Sequence, residues 1–146
     1  MAIILAENRS ASYDYDILDT WEAGISLIGA EVKSVRLKGT RLSGSYVKIL
    51  NHEAFLIGAH IANYKNAAEK FDPTRSRRLL LTRAEINKLA GLVSQKGYVL
   101  VPLKIYASGS RIKLTIGYGK ARKRYDKKRL EKARDLSREE ARELGG

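Results

Sequence analysis

The sequence contains no cysteine and only two histidines, which excludes disulfide bonds and thiolate metal sites. No apolar run approaches the ~18 residues of a membrane-spanning helix, and the start of the chain lacks the pattern of a secretion signal. We therefore expect a soluble cytoplasmic protein with no membrane partner. With 146 residues, 44% of them hydrophobic, the chain is long enough for one domain with its own core.

The sequence also lacks the common motifs of catalysis and nucleotide binding. It has no HExxH segment, no P-loop and no complete glycine-rich dinucleotide motif. His52 and His60 are isolated histidines of the kind that is usually structural. Glu22 and Glu31 are the one candidate pair of catalytic carboxylates, but no further acidic cluster accompanies them. We therefore expect no enzyme, no cofactor and no metal site.

Positive charge is concentrated in the second half of the chain. The net charge is +12; residues 1–74 hold 8 basic and 9 acidic side chains, whereas residues 75–146 hold 20 and 7. Such a self-repelling surface favours a polyanionic partner. A membrane surface is one alternative, but residues 120–146 contain no Trp or Phe to insert into it. A basic surface that serves only solubility is the other, and nucleic acid fits better than either.

Alternation of apolar and polar residues predicts five strands, at 13–18, 46–50, 54–61, 98–107 and 111–118. Residues 51–53 predict a hairpin turn, and residues 62–78 predict a loop. In the fourth strand Val99, Val101, Leu103 and Ile105 are expected to share a buried face. Pro102 lies on the opposite phase and predicts an edge or a bulge there.

Two segments have helical spacing. The first covers 25–37 and is expected to end at Gly39. The second begins at a capping box formed by Thr82 and Glu85 and is expected to close at Gly97. Short antiparallel strands with two helices predict a mostly β fold. We expect a closed antiparallel oligonucleotide-binding-type β-barrel with flanking α-helices, a sandwich being the alternative.

The chain changes character at its basic end. We expect residues 1–121 to form the RNA-binding barrel and residues 122–146 to form a basic C-terminal tail. The tail is rich in helix-forming residues, but its apolar positions are too sparse for a buried stripe. We expect it to be disordered, or helical on binding, with a solvated helix that extends the domain as the alternative.

The basic side chains of the second half are candidates for salt-dependent phosphate contacts. They include Arg75, Arg77 and Arg78, then Lys120, Arg122, Lys123 and Arg124, and finally Lys127, Lys128 and Arg129. Alternation also places Arg111 and Lys113 together on the solvent face of the fifth strand. Tyr125 lies within the basic run and suits stacking on an unpaired base, worth about 1–3 kcal/mol; the alternative is packing on the domain.

Five segments resemble the SsrA-binding protein family, also called small protein B, the bacterial partners of transfer-messenger RNA. The segments are 21–25 (WEAGI), 29–36 (GAEVKSVR), 72–81 (DPTRSRRLLL), 101–106 (VPLKIY) and 125–128 (YDKK), in the family's order. The resemblance implies an oligonucleotide-binding-type barrel and a role in trans-translation. Members bind the elbow of the transfer-RNA-like domain and accompany the RNA into stalled ribosomes. Their tail acts in the small-subunit decoding region and the empty messenger channel.

The resemblance also implies residue roles. It implies that Glu22, Leu80 and Lys113 contact the RNA elbow, with Asn8 as a further candidate. The charge pattern adds Arg75, Arg77, Arg78 and Arg111 to the RNA-binding candidates. The ribosome-facing residues implied are Lys120, Lys123, Tyr125, Asp126, Lys127 and Lys128; we add Arg122 and Arg129 from the same basic run. We expect a monomer. The alternatives are a general single-strand-binding barrel, another ribosome-associated translation factor, and an RNA-processing enzyme.

The chain departs from the family pattern at three places. Ala121 stands where the family usually has Gly, which stiffens the junction between barrel and tail. Lys128 stands where the family usually has Arg, a change that matters at a bidentate phosphate contact. Near Tyr13 the family commonly has basic residues and a His, so a contact made through that His is expected to pass to Tyr13 or to be lost.

Overall fold

The structure is a computed structural model that describes residues 2–65, 68–123 and 126–134. Within these residues it contains nine strands and four helices. The strands are β1 (Ala2–Glu7), β2 (Tyr15–Ile25), β3 (Thr40–Arg41), β4 (Tyr46–Leu50), β5 (Glu53–Ile57), β6 (His60–Ile61), β7 (Arg77–Leu80), β8 (Tyr98–Ser108) and β9 (Arg111–Ala121). The helices are α1 (Ala11–Asp14), α2 (Gly29–Arg36), α3 (Arg83–Val93) and α4 (126–134).

Seven strands form one antiparallel sheet in the order β1-β8-β4-β5-β7-β2-β9, and β9 also pairs with β8. The short strands β3 and β6 form a separate pair. The predicted mostly β, antiparallel fold with flanking helices is therefore confirmed. No helix among the described residues is long and apolar enough to cross a bilayer.

The hairpin β4–β5 turns through Asn51 and His52, whose φ angles are 50° and 61°. Two consecutive left-handed residues make a two-residue turn whose twist matches the twist of the flanking strands. Asn accepts this conformation more readily than most residues do. The predicted turn at 51–53 is confirmed to within one residue, and it fixes the register Lys48–Phe55 across the hairpin.

A β-bulge interrupts β8. The register with β9 shifts between Pro102 and Lys104, which confirms the bulge predicted at the proline. Asn8 holds the bulge from the end of β1: its backbone N–H donates to the Leu103 carbonyl at 2.8 Å, and its side-chain amide donates to the Pro102 carbonyl at 2.9 Å. The predicted buried face of this strand is confirmed at Val101 and Ile105 but was wrong at Val99 and Leu103, which are half-buried, because the bulge changes the phase. The residues that are buried on β8 are Leu100, Val101, Pro102, Ile105 and Ala107.

The core consists mainly of side chains from the strands, and Val35 of α2 and Leu89 of α3 pack into the same cluster. Leu114, Ile116 and Tyr118 of β9 are buried at alternate positions, as predicted. The capping box of α3 is confirmed, since the Thr82 hydroxyl accepts from the Glu85 amide at 3.2 Å and the Glu85 carboxylate accepts from the Thr82 amide at 2.9 Å. The hydrogen bond from the Thr82 backbone, followed by the interaction with the Thr82 side chain, lowers the pKa of the Glu85 carboxyl group.

Several predicted boundaries were wrong. β2 runs to Ile25 because its end pairs with β7 and β9, so the helix predicted over 25–37 begins only at Gly29. Part of the predicted loop 62–78 belongs to β7. The strand β1 and the helix α1 were not predicted. The first exposes Ile3 and Ile4 and shows no alternation, and the second has only four residues, too few for a period.

Glu31 forms a buried ion cluster with two arginines that follow it in sequence by more than forty residues. The side chains of Glu31 and Arg77 are fully buried, and Arg77 Nε donates to Glu31 Oε2 at 2.8 Å. Arg75 donates to both oxygens of the same carboxylate. The remaining donors of Arg77 reach the carbonyls of Ala59, Pro73 and Arg75, each at 3.0 Å. A buried charge tolerates its desolvation only when it is satisfied in this way.

This cluster keeps both charges ionised. Burial opposes ionisation of Glu31 most strongly, but hydrogen bonds from Arg75, from the Ile28 amide and from Arg77 outweigh it and lower the pKa of the carboxyl group. Burial lowers the pKa of Arg77, although the hydrogen bond to Glu31 and its negative charge act to raise that pKa. The prediction that Arg77 contacts phosphate was wrong, because its guanidinium is satisfied inside the protein.

Replacing Glu31 with Gln leaves Arg77 buried without a counter-charge. We expect the free energy of unfolding to fall by about 3–5 kcal/mol, measured by chemical denaturation. Glu69→Gln removes an exposed carboxylate and serves as the control, with little change expected. A loss in Glu31→Gln no larger than in the control would contradict the role of the cluster.

The same cluster predicts a pH dependence. Because the folded chain holds the pKa of Glu31 below the ordinary value of 4.5, the unfolded chain binds the proton first as the pH falls. The stability contributed by Glu31 is therefore complete above pH 4.5 and is lost progressively below it. Denaturation curves over that range should show the difference between the native chain and Glu31→Gln narrowing in acid.

Candidate nucleic-acid interface

Four residues predicted to contact RNA meet on the outer face of the sheet. Gly24 of β2 pairs with Leu80 of β7 on one side and with Lys113 of β9 on the other. Glu22 lies two residues earlier on the same face, and Leu80 is 53% exposed. These side chains and Arg111 line one surface depression. The structure thus places Glu22, Leu80, Arg111 and Lys113 together, although they come from three strands.

Glycine at position 24 makes this meeting possible. A Cβ atom built on Gly24 would lie 3.1 Å from the Cβ of Leu80, closer than side chains normally approach. Without that atom, Leu80 lies across β2 toward Lys113. We name the surface formed by Glu22, Leu80, Arg111 and Lys113 the elbow face.

Glu22 is held in one orientation by hydroxyl donors from the neighbouring strands. Tyr106 of β8 donates to Oε2 at 2.6 Å, and Thr115 of β9 lies 3.1 Å from both carboxylate oxygens. The hydrogen bond to Glu22, aided by burial, raises the pKa of Tyr106 to about 12, so this phenol stays a donor. Lys104 stands 5.8 Å from the centre of the Tyr106 ring. A fixed acceptor is therefore presented among cations.

Tyr106 is a residue that sequence analysis missed as part of the site. It closes the segment 101–106 that carries the family resemblance, and it lies directly opposite Lys113 in the β8–β9 ladder. Its alternation with the buried Ile105 and Ala107 was a usable signal for an outward side chain.

Asn8 borders the elbow face but has a structural task. Its amide and backbone hold the bulge in β8, and it lines a second depression together with Glu22, Lys104 and Thr115. Its contact with RNA stays a prediction.

The arginines of segment 72–81 divide between the inside and the outside of the sheet. Arg75 is one-third exposed and bound to Glu31, and Arg77 is buried. Arg78, on the opposite phase of β7, is 58% exposed and lies 3.7 Å from Glu53 in an exposed ion pair. Of the three predicted phosphate contacts, Arg78 is the one that faces outward.

The carboxylate pair suggested by the sequence does not exist. Glu31 is enclosed by Arg75 and Arg77 in the core, whereas Glu22 is bound to Tyr106 and Thr115 on the outer face. The two groups do not converge on a common site. Among the residues described, no three His, Asp or Glu side chains are grouped as a metal site.

The basic end of the chain forms a second cationic surface. Exposed Lys120 and Lys123, with Arg122 and Asp126, line a depression beside Asp16 at the junction of β9 and α4, and Arg129 lines the next one along the helix. Lys127 and Lys128 lie on α4 as well. We name this group the tail surface. Tyr125, Arg124 and the tail after Arg134 lie outside the described residues.

Polar contacts dock α4 on α1. The Tyr13 hydroxyl donates to Glu131, and Lys127 Nζ lies 3.2 Å from an Asp14 carboxylate oxygen. Lys127 and Arg134 stand 5.6 and 5.8 Å from the centre of the Tyr13 ring. The hydrogen bond to Glu131 is the main cause that raises the pKa of Tyr13. The sequence did not predict this docking, because the contacts are polar and leave no apolar stripe in the pattern.

The chain matches a known protein family over most of its length. A family model described as SmpB protein matches residues 5–146. The chain belongs to this family. The SsrA-binding protein of Chloroflexus aurantiacus strain J-10-fl is 49% identical over 141 residues, which cover 92% of this chain and 88% of the relative. The SsrA-binding protein of Lactobacillus johnsonii is 46% identical over 143 residues, 97% of this chain and 95% of the relative.

A solved structure agrees with the SmpB assignment. It is described by the words "tmRNA-SmpB: a journey to the center of the bacterial ribosome", and it is 43% identical in sequence with a TM-score of 0.69. The match covers 81% of this chain and 84% of that one. The family predicted from the five sequence segments is therefore confirmed.

The docking of α4 predicts the effect of removing one hydroxyl. Tyr13→Phe loses the hydrogen bond to Glu131 while it keeps the ring beside Lys127 and Arg134. We expect amide hydrogen exchange in α4 to become roughly 2- to 10-fold faster, with exchange in β8 and β9 unchanged. Tyr64→Phe removes the hydroxyl of a ring that lies beside Lys33 of α2, and is the control. Unchanged exchange in α4 would contradict the docking.

Proposed function

We propose that this chain binds transfer-messenger RNA at the elbow of its transfer-RNA-like domain and accompanies it to stalled ribosomes. One observation carries the proposal: the elbow face assembles Glu22, Leu80 and Lys113 from three strands, away from the tail surface. The SsrA-binding relatives and the tmRNA-SmpB structure support it. In this role the chain acts in the cytoplasm, as a monomer and without catalysis.

The elbow face offers three kinds of contact with a folded RNA. Lys113 and Arg111 neutralise phosphates, which supplies affinity that depends on salt. Exposed Leu80 supplies an apolar contact that forms only with an RNA surface of complementary shape. Glu22 accepts hydrogen bonds from amino or imino groups on a base edge, with Tyr106 and Thr115 holding it in place. Phosphate contacts position the RNA, and the fixed carboxylate of Glu22 discriminates between base edges.

The tail surface has a separate partner in this proposal. Lys120, Arg122, Lys123, Asp126 and the cations of α4 contact ribosomal RNA in the small-subunit decoding region, and the tail continues into the empty messenger channel. The tail is residues 122–146, and residues 1–121 form the RNA-binding domain. That domain is an oligonucleotide-binding-type barrel, a proposal that the additional pairing of β9 with β8 supports.

A general single-strand-binding protein is the competing function. It predicts equal binding to any RNA of similar length, because phosphate neutralisation alone is blind to shape. The oriented carboxylate of Glu22 favours elbow recognition, since a negative charge on the contact surface weakens indiscriminate binding to phosphate backbones.

A titration at several salt concentrations tests elbow recognition. It compares transfer-messenger RNA, its isolated transfer-RNA-like domain, an ordinary transfer RNA and an unstructured strand. We expect tight binding to the first two only. Leu80→Ala should weaken that binding roughly 10-fold, as for a residue at the centre of an interface.

Lys113→Ala should lower the slope of log K against log salt by about 0.9. Lys96→Ala, in the exposed turn before β8, is the matched control and should change neither affinity nor slope. Equal, steeply salt-dependent binding to all four RNAs would favour the general single-strand binder.

Substitution of the tail surface tests the second contact. We expect the replacement of Tyr125, Asp126, Lys127 and Lys128 together by Ala to abolish trans-translation on ribosomes stalled without a stop codon. Affinity for the isolated transfer-RNA-like domain should be largely retained. Leu80→Ala is the reciprocal control, because its main effect should be to lower affinity for the isolated transfer-RNA-like domain. Equal loss of rescue and RNA binding in the tail variant would contradict two separate surfaces.

A further inference from the structure

An aromatic ring stands between two cations on the outer face of the hairpin β4–β5. Phe55 of β5 lies directly opposite Lys48 of β4 and directly opposite Arg78 of β7. Directly opposed residues in antiparallel strands project their side chains to the same face. Lys48 is exposed, Phe55 is half-buried and the Arg78 side chain is 58% exposed. The row Lys48–Phe55–Arg78 thus runs across three adjacent strands.

Phe55 does not belong to the core. Its chain neighbours Ala54 and Leu56 are fully buried in the core cluster, so the side chain of Phe55 projects to the opposite side of the sheet. The chain's other phenylalanine, Phe71, packs against that cluster instead. The cation–ring contacts found among the described residues involve tyrosine and tryptophan rings, and none involves Phe55. Neither the Lys48 ammonium nor the Arg78 guanidinium is therefore engaged with the ring in a cation–ring contact.

This row is continuous with the elbow face. Leu80 follows Arg78 by two residues on the outward phase of β7 and is exposed. On the other side, Tyr46 and Leu50 flank Lys48 on β4 and are 45% and 46% exposed. The exposed surface therefore extends from Lys113 across β2 and β7 to β4 without leaving the sheet.

We propose that an unpaired RNA nucleotide stacks its base on Phe55 while Lys48 and Arg78 bind the phosphates on either side. Aromatic side chains within a cationic groove are the usual platform for single-stranded bases. Strands lie about 4.8 Å apart, so the backbones of β4 and β7 are roughly 10 Å apart, which leaves the width of one base between the two cations. The inference rests on the proposed function only in taking RNA as the ligand.

The charges favour RNA over an apolar protein surface at this position. Both side chains that flank the ring are cationic, and an apolar protein surface would have to desolvate them without compensation. The ion pair of Arg78 with Glu53 spans 3.7 Å between half-exposed side chains. Such pairs contribute little, so Arg78 can exchange this partner for a phosphate.

Binding of a labelled oligonucleotide tests the stacking. The probe is a single-stranded RNA octanucleotide with 2-aminopurine at a central position, and the comparison is the same strand annealed to its complement. We expect Phe55→Leu to weaken binding of the single strand by roughly 5- to 100-fold and to abolish the fluorescence change of the stacked base. Binding of the duplex should not change. Phe55→Tyr keeps a ring and should bind like the native chain.

The matched control is Phe71→Leu, the same chemical change at the ring that packs on the core. It should leave oligonucleotide affinity unaltered. Lys48→Gln and Arg78→Gln should each lower the slope of log K against log salt by about 0.7 for the single strand. Lys96→Gln should leave the slope as it is. Thermal unfolding of each variant is measured alongside, and Lys48→Gln and Arg78→Gln decide the matter if Phe55→Leu does not fold.

The proposal is overturned if Phe55→Leu binds the single strand as tightly as the native chain does, or if it weakens single strand and duplex equally. Unchanged salt slopes in both cation variants would overturn it as well. These failures are distinguishable from failure of the proposed function. If the proposed function failed, the native chain itself would show no preference for transfer-messenger RNA, and Leu80→Ala would not change RNA affinity.

Discussion

The ion cluster around Glu31 is the interaction on which the rest of the structure depends. One carboxylate in the first turn of α2 receives hydrogen bonds from Arg75 and Arg77, and Arg77 in turn ties down the carbonyls of Ala59 and Pro73. It therefore joins a helix, the end of a hairpin, a loop and the start of β7. A hydrophobic contact could also hold these segments together. The guanidinium N–H groups additionally fix the relative orientation of the segments, because each hydrogen bond is directional.

The direction of β7 then determines the surface that we propose to face RNA. Arg77 and Leu79 are buried, so Arg78 and Leu80 must project outward from the same short strand. The outward pair supplies one residue to the elbow face and one to the row at Phe55. An interior salt bridge thus sets the exterior surface, because the burial of Arg77 determines which side chains of β7 are exposed. Glu22 shows the complementary case, in which exterior hydroxyls orient an exterior charge.

Much of this arrangement was predictable from local pattern. The alternation that buries Leu114 and Ile116 correctly placed Lys113 outside, and Thr82 with Glu85 correctly marked the start of α3. Arg77 was misjudged because its neighbours in sequence are cationic. Its burial depends on Glu31, 46 residues away, and no periodicity encodes that distance. The link between Tyr106 and Glu22 spans 84 residues and was invisible for the same reason. Local patterns identify faces, whereas partners across the sheet come only from topology.

The long strand β8 has a consequence for how the chain acquires its fold. β8 pairs with β9 along its length, and its other side is divided between β1 and β4. Asn8 meets the bulge of β8 across 94 residues of sequence. During synthesis, β1 therefore leaves the ribosome long before β8, its pairing strand. Ile3, Ile4 and Leu5 stay unpaired until β8 has been translated. A protein proposed to serve stalled ribosomes is thus unable to finish its own sheet until most of its chain has been translated.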